Sequence, residues 1–161
     1  MSLLALMKNN SVDISFYRLT TLPIIKAAPK LIEKIYYSGQ KLIVLTEDEQ
    51  LTKTIDGALW AYSTKHFIPH GTNADEHPDD QPVYITHAYE NPNDAKIIMI
   101  VGKAEVEEKA GVAVDKLIYL FDGNYQDQLE FARVKWKEYQ KNGNPITYWR
   151  QNMDGAWEKQ A

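Results

Sequence analysis

Short apolar runs alternate in this chain with longer segments whose apolar residues recur at helical spacing. Residues 12–18 (V-D-I-S-F-Y-R) alternate apolar with polar and predict a strand. Residues 23–37 then place Ile24, Ile25, Ala28, Leu31, Ile32, Ile35 and Tyr36 along one helical stripe. Pro23 suits the first turn of that helix, Pro29 either kinks it or marks its true start, and Gly39 is placed to end it. The run K-L-I-V-L at 41–45 is what a strand covered on both faces requires. Thr46 and Glu49 have capping-box spacing and open a helix to about Trp60, with Leu51, Ile55 and Leu59 four apart.

The second half repeats the pattern. G-T-N-A-D-E-H-P-D-D-Q-P at 71–82 reads as a loop, and strands are expected at 83–87, 96–101 and 116–121. A short charged helix is expected at 105–112. The D-G-N turn at 122–124 leads into the strongest helix, 125–142, where Leu129, Ala132, Trp136 and Tyr139 form an apolar stripe and Gly143 and Pro145 mark the stop. Residues 146–161, rich in Trp and Tyr, are expected to pack back on the body. Alternating strands and helices predict an α/β fold with a mainly parallel sheet and helices on both faces. At 161 residues one domain over 11–161 is expected, preceded by a flexible leader at 1–10 in which Met7 offers an alternative start.

Composition removes several kinds of chemistry. The chain has no cysteine, so thiolate metal sites, iron–sulfur clusters, disulfides and cysteine nucleophiles are out, and a reducing cytoplasm is the natural setting. Lys and Arg number 18 against 22 Asp and Glu, a net charge of -4 that opposes direct, non-specific nucleic-acid binding. The apolar start of the sequence is too short for a membrane span, so no membrane contact is expected.

Motifs for catalysis are missing where an α/β sheet would carry them. No glycine lies between Tyr17 and Pro23 to make a dinucleotide turn, and Gly102-Lys103 lacks the leading glycine of a phosphate loop. His66 and His70 are four apart, with His77, His87 and four acids nearby, but Pro69 interrupts the helix a two-histidine metal face would need. The same acids lie on a loop, a poor platform for general acid–base work. Neither a cofactor nor a metal is expected. Binding remains. Arg133, Lys137 and Lys141 recur every fourth residue of the 125–142 helix, with Trp136 beside the row. Such cations suit carboxylates and the indole suits an apolar neighbour, whereas the plain alternative is a solvated helix face over a core tryptophan, with Arg133 paired to Glu130 or Glu138. Trp60 is likewise either a core lid or an interface anchor.

Two blocks of sequence carry a resemblance. I-D-G-A-L-W-A-Y-S-T-K-H-F-I-P-H at 55–70, and F-D-G-N followed by L-E-F-A-R-V-K-W-K-E-Y at 121–139, resemble the signatures of the chi subunit family of bacterial DNA polymerase III. F-Y-R-L at 16–19, the E-K…G-Q-K turn at 33–41 and the closing Y-W-R-Q…G-A-W-E-K agree, so the likeness spans nearly the whole chain from about residue 14.

The resemblance implies a Rossmann-like domain without nucleotide-binding or catalytic motifs, and an accessory role in DNA replication. It implies a link between the clamp-loader complex and single-stranded DNA-binding protein, made by holding that protein's acidic C-terminal tail, which ends Asp-Asp-[Ile/Val]-Pro-Phe. Carried over by position, Arg133 is the key tail-binding arginine. Trp136 takes an aromatic position, Lys137 keeps a lysine, and Trp60 and Phe67 are aromatics of the same neighbourhood. Gln140 stands where some relatives are basic, and Lys141 is the nearby substitute. The psi subunit of the clamp loader is implied as a second partner. The competing reading is a small α/β nucleotide- or metal-dependent enzyme using the 71–82 loop as a lid. A third is direct single-strand binding by the tryptophans and lysines.

Overall fold

The run after Gly39 becomes β2 (Leu42–Thr46), a strand with every residue buried. It lies inside a sheet because both of its faces are apolar: Ile43 and Leu45 point to one side, Leu42 and Val44 to the other. The same division holds along β5 (Ile97–Val101) and β6 (Lys116–Asp122), so one sheet separates two apolar layers. The computed structural model describes residues 12–62, 67–106 and 114–161. The expected leader, most of the expected 105–112 helix and His66 lie outside them.

The remaining strands are β1 (Asp13–Leu19), β3 (His70–Thr72), β4 (Val83–Thr86), β7 (Ile146–Gln151) and β8 (Trp157–Lys159). Their order is β3-β4-β2-β5-β6-β1-β7-β8, and every pairing is parallel except β7 with β8. The helices are α1 (Ile24–Tyr37), α2 (Glu49–Tyr62) and α3 (Gln126–Asn142). Ala27, Ala28, Leu31 and Ile32 of α1 and Ile55 and Leu59 of α2 cover one face of the sheet. Leu129, Ala132 and Tyr139 of α3 cover the other. The α/β domain with helices on both faces is what the alternation predicts.

Local details differ from expectation. Pro29 neither starts nor breaks α1; it sits buried inside the helix, where its missing N–H deprives only the carbonyl of Ile25, a residue on the exposed side. Ile25 is 46% exposed and therefore leaves the core stripe. Thr46 is not the cap of α2. It closes β2, its hydroxyl 2.7 Å from that of Thr52, while the Leu51 N–H donates to Asp48 Oδ1 at 2.8 Å and makes Asp48 the cap. The loop at 71–82 begins as β3, anchored to β4, and the tail at 146–161 forms two strands. Gly143 ends α3 at φ +82, a left-handed conformation that a side chain disfavours.

Candidate functional site

The strongest helix of the sequence presents its cations as the spacing requires. Arg133 and Lys137 are exposed, one turn apart on α3. Among the described residues neither has an ion-pair partner, because the acids within reach are engaged elsewhere. The Glu130 carboxylate accepts from Gln126 Nε2 at 2.9 Å. Glu138 and Glu105 both face Lys135, at 3.7 and 2.8 Å. The alternative in which Arg133 pairs with Glu130 or Glu138 is therefore not what the helix adopts.

Between these cations and the sheet lies a hollow of about 320 Å³, lined by Leu129, Ala132, Arg133, Trp136, Lys137, Tyr148 and Ala161. Its floor is aromatic. Trp136 is half-buried and meets Tyr148 of β7 at 5.5 Å and Phe16 of β1 at 5.6 Å between ring centroids. Phe16 in turn stacks on Tyr119 at 5.0 Å. Beneath α3, the buried hydroxyls of Tyr119 and Tyr139 lie 2.6 Å apart and share one hydrogen bond, donated by one and accepted by the other. Burial pushes both phenols up, Tyr119 well above the usual tyrosine value and Tyr139 to about 12. The hollow thus rests on a rigid support, with charge at the rim and rings below. Lys141 is exposed one turn beyond Lys137 and does not line it. Tyr148, a wall of this hollow, was not singled out in the sequence; the alternation in I-T-Y-W-R-Q at 146–151 is the signal that carries it.

Trp60 and Phe67 are not part of this group. They sit on the α1–α2 side of the sheet beside β3, and five strands separate β3 from β7, roughly 29 Å at the usual strand spacing. The expectation of one shared aromatic neighbourhood is corrected by topology: α2 and α3 pack on opposite faces. Trp60 and Phe67 are 60% and 56% exposed and lie 5.3 Å apart, so Trp60 is no core lid. Trp60 also rests against His70, at 4.9 Å. The His70 ring is buried, its Nδ1 2.8 Å from the Ile68 carbonyl oxygen and its Nε2 3.0 Å from Asp56 Oδ1, the latter an electrostatic contact without hydrogen-bond alignment.

Trp60, His70 and Asp56 border a larger hollow of about 580 Å³ that also includes Glu49, Lys53, Asp75 and His77. Two of its acids are occupied with local structure: the Thr72 N–H donates to Asp75 Oδ2 at 2.6 Å, and Lys53 faces Glu49 at 3.4 Å. Among the described residues no group of three or more His, Asp or Glu is arranged to hold a metal. Near Gly102 the Glu47 carboxylate occupies the space beside the backbone and Lys103 pairs with Asp127 at 2.9 Å, an arrangement that repels a phosphate. No helix among the described residues is long and apolar enough to cross a membrane.

Comparison with known proteins gives the same direction as the two sequence blocks. The family described as DNA polymerase III chi subunit, HolC, matches residues 12–147. The chain is 34% identical to "Probable DNA polymerase III subunit chi" of Rickettsia prowazekii (strain Madrid E), over 91% of each chain. It is 26% identical to "DNA polymerase III subunit chi" of Escherichia coli (strain K12), over 80% of this chain and 91% of that one. The chain belongs to the DNA polymerase III chi subunit family.

Proposed function

We propose that this chi-family protein is a non-catalytic adaptor of the replication machinery that grips the acidic C-terminal tail of single-stranded DNA-binding protein in the α3 hollow. The observation that carries this reading is a pair of cations, Arg133 and Lys137, without ion-pair partners among the described residues, at the mouth of an aromatic-floored hollow. A tail ending in Asp-Asp-Ile-Pro-Phe needs both halves. Arg133 offers a fork to carboxylates, Lys137 a second point charge, and the space beside Trp136 and Tyr148 takes an apolar ring. Lys141 adds attraction at longer range in place of the basic side chain that Gln140 lacks. Few groups are engaged, so micromolar binding, about -8 kcal/mol, is expected.

An adaptor needs a second, non-overlapping surface. Trp60 and Phe67, exposed together on the opposite face, meet that need and are the surface we assign to the psi subunit and through it to the clamp loader. Such work takes place in the cytoplasm, with the chromosome. The competing enzyme reading finds less support, since the 71–82 segment opens as part of β3 and Asp75 is held by the Thr72 N–H.

The test is a pull-down with the immobilised full chain. Intact single-stranded DNA-binding protein should be retained, and the same protein lacking its terminal segment should flow through. Retention of both forms, or of neither, removes the reading.

A further inference from the structure

Among the described residues, no helix covers the sheet beyond α1. On the α1 side of β1, β7 and β8, Tyr17, Trp149 and Trp157 stand together because parallel and antiparallel register put them on one face. Tyr17 and Trp149 are paired residues and lie nearly parallel, centroids 6.1 Å apart at 15°. Trp157 meets Tyr17 edge-on at 5.0 Å. Lys159 is the cross-strand partner of Trp149 and shares its face. Along the adjoining helix, Lys26, Lys30 and Lys34 recur every four residues, a rise of about 6 Å between neighbours.

Lys30 and Lys34 border a hollow of about 260 Å³ whose other walls include all three rings. Lys30 also borders the next groove along, of about 470 Å³, together with Lys26. All four lysines are exposed, and among the described residues none has an ion-pair partner. Glu158, one residue from both Trp157 and Lys159, projects to the other face. Asp13, which faces Tyr17, lies 3.9 Å from Lys116, and Glu33 accepts from the Tyr62 hydroxyl at 3.3 Å.

We infer that this basic and aromatic face is a weak binding site for single-stranded nucleic acid, with bases stacking at Tyr17, Trp149 and Trp157 and phosphates following the α1 lysine row. Flat rings beside regularly spaced point charges suit a repeating polyanion carrying π-faces. An acidic peptide is the less fitting occupant, because carboxylates favour the planar guanidinium fork and this face offers ammonium groups. Burial and the Asp13 carboxylate push the Tyr17 phenol up, so the ring stays uncharged at neutral pH. The overall charge of -4 explains why the sequence as a whole reads against nucleic acid; at this face Lys30, Lys34 and Lys159 stand beside the rings. Most of the aromatic part lies past residue 147, where the family match ends, and the inference does not depend on the α3 hollow.

Fluorescence anisotropy of a labelled oligothymidylate, with the tryptophan emission followed in parallel, tests it on the full chain. Binding at low salt should quench tryptophan and weaken with a log–log salt slope of about −2 to −3, as three or four phosphate contacts on a single strand demand. The exposed double variant Lys30→Glu/Lys34→Glu should lose affinity tenfold or more. Trp149→Ala should lose most of the quenching, and Arg133→Ala should bind like the parent. No binding at low salt overturns the inference, as does unchanged affinity in the double-lysine variant. Displacement of the oligonucleotide by an acidic tail peptide in the Arg133→Ala background overturns it too, by making the face a peptide site.

Discussion

The Trp136 indole stands edge-on to the Tyr148 ring, 5.5 Å between centroids at 75°, and so joins α3 to β7 at the floor of the α3 hollow. One side chain therefore serves both packing and the site. Trp136→Ala should destabilise the fold by about 3 kcal/mol, the low end for a large core aromatic because the ring is half-buried. Trp136→Phe should recover most of that in urea denaturation while still weakening tail binding.

The cations at the rim should behave in the opposite way. Arg133 and Lys137 are exposed and unpaired among the described residues, so Arg133→Ala and Lys137→Ala should leave unfolding free energy within about 0.5 kcal/mol of the parent. Tail affinity should fall in both, and should fall in the parent as salt is raised past the point where the screening length drops below about 8 Å. Thermal unfolding and peptide titration at two salt concentrations separate these effects.

The Tyr119–Tyr139 pair predicts an alkaline limit. Both phenols are raised in the folded state, Tyr139 to about 12, above the value of about 10 that an unfolded tyrosine has. In this window the unfolded chain gives up protons first. The contribution is complete below about pH 10 and is lost as pH climbs through the folded value. Tyr139→Phe should flatten that alkaline slope in denaturation curves, and should cost about 1–3 kcal/mol at neutral pH by leaving the buried Tyr119 hydroxyl unsatisfied.

Gly143 supplies a backbone test. Nothing lies within 4 Å of where its Cβ would sit, so Gly143→Ala meets no clash. Its φ of +82 alone should cost about 1–2 kcal/mol. Circular dichroism melts that show no loss would contradict the left-handed end assigned to α3.

The layered fold was readable because K-L-I-V-L and its counterparts are apolar on both faces, whereas each helix is apolar on one. The short strands were harder. His70–Thr72 carries no apolar run, and its pairing comes from β4 alongside, a tertiary cause that local pattern does not contain. Thr46 was misplaced as a cap because its hydroxyl and the Asp48 carboxylate two residues on both suit that role; geometry chose Asp48. At the site, helical spacing gave Arg133, Trp136 and Lys137 correctly as neighbours. Trp60 and Phe67 were set beside them by family likeness, and only the crossover order of the sheet reveals that they belong to the far side.

The proposed role of Arg133 is to hold a foreign carboxylate beside the Trp136 hollow. Titration calorimetry of a peptide ending Asp-Asp-Ile-Pro-Phe, against the parent and Arg133→Ala at one salt concentration, measures it directly. Micromolar binding to the parent and a loss of about 1–3 kcal/mol in the variant is the predicted result. Equal affinity for the two proteins would show that Arg133 does not bind the tail.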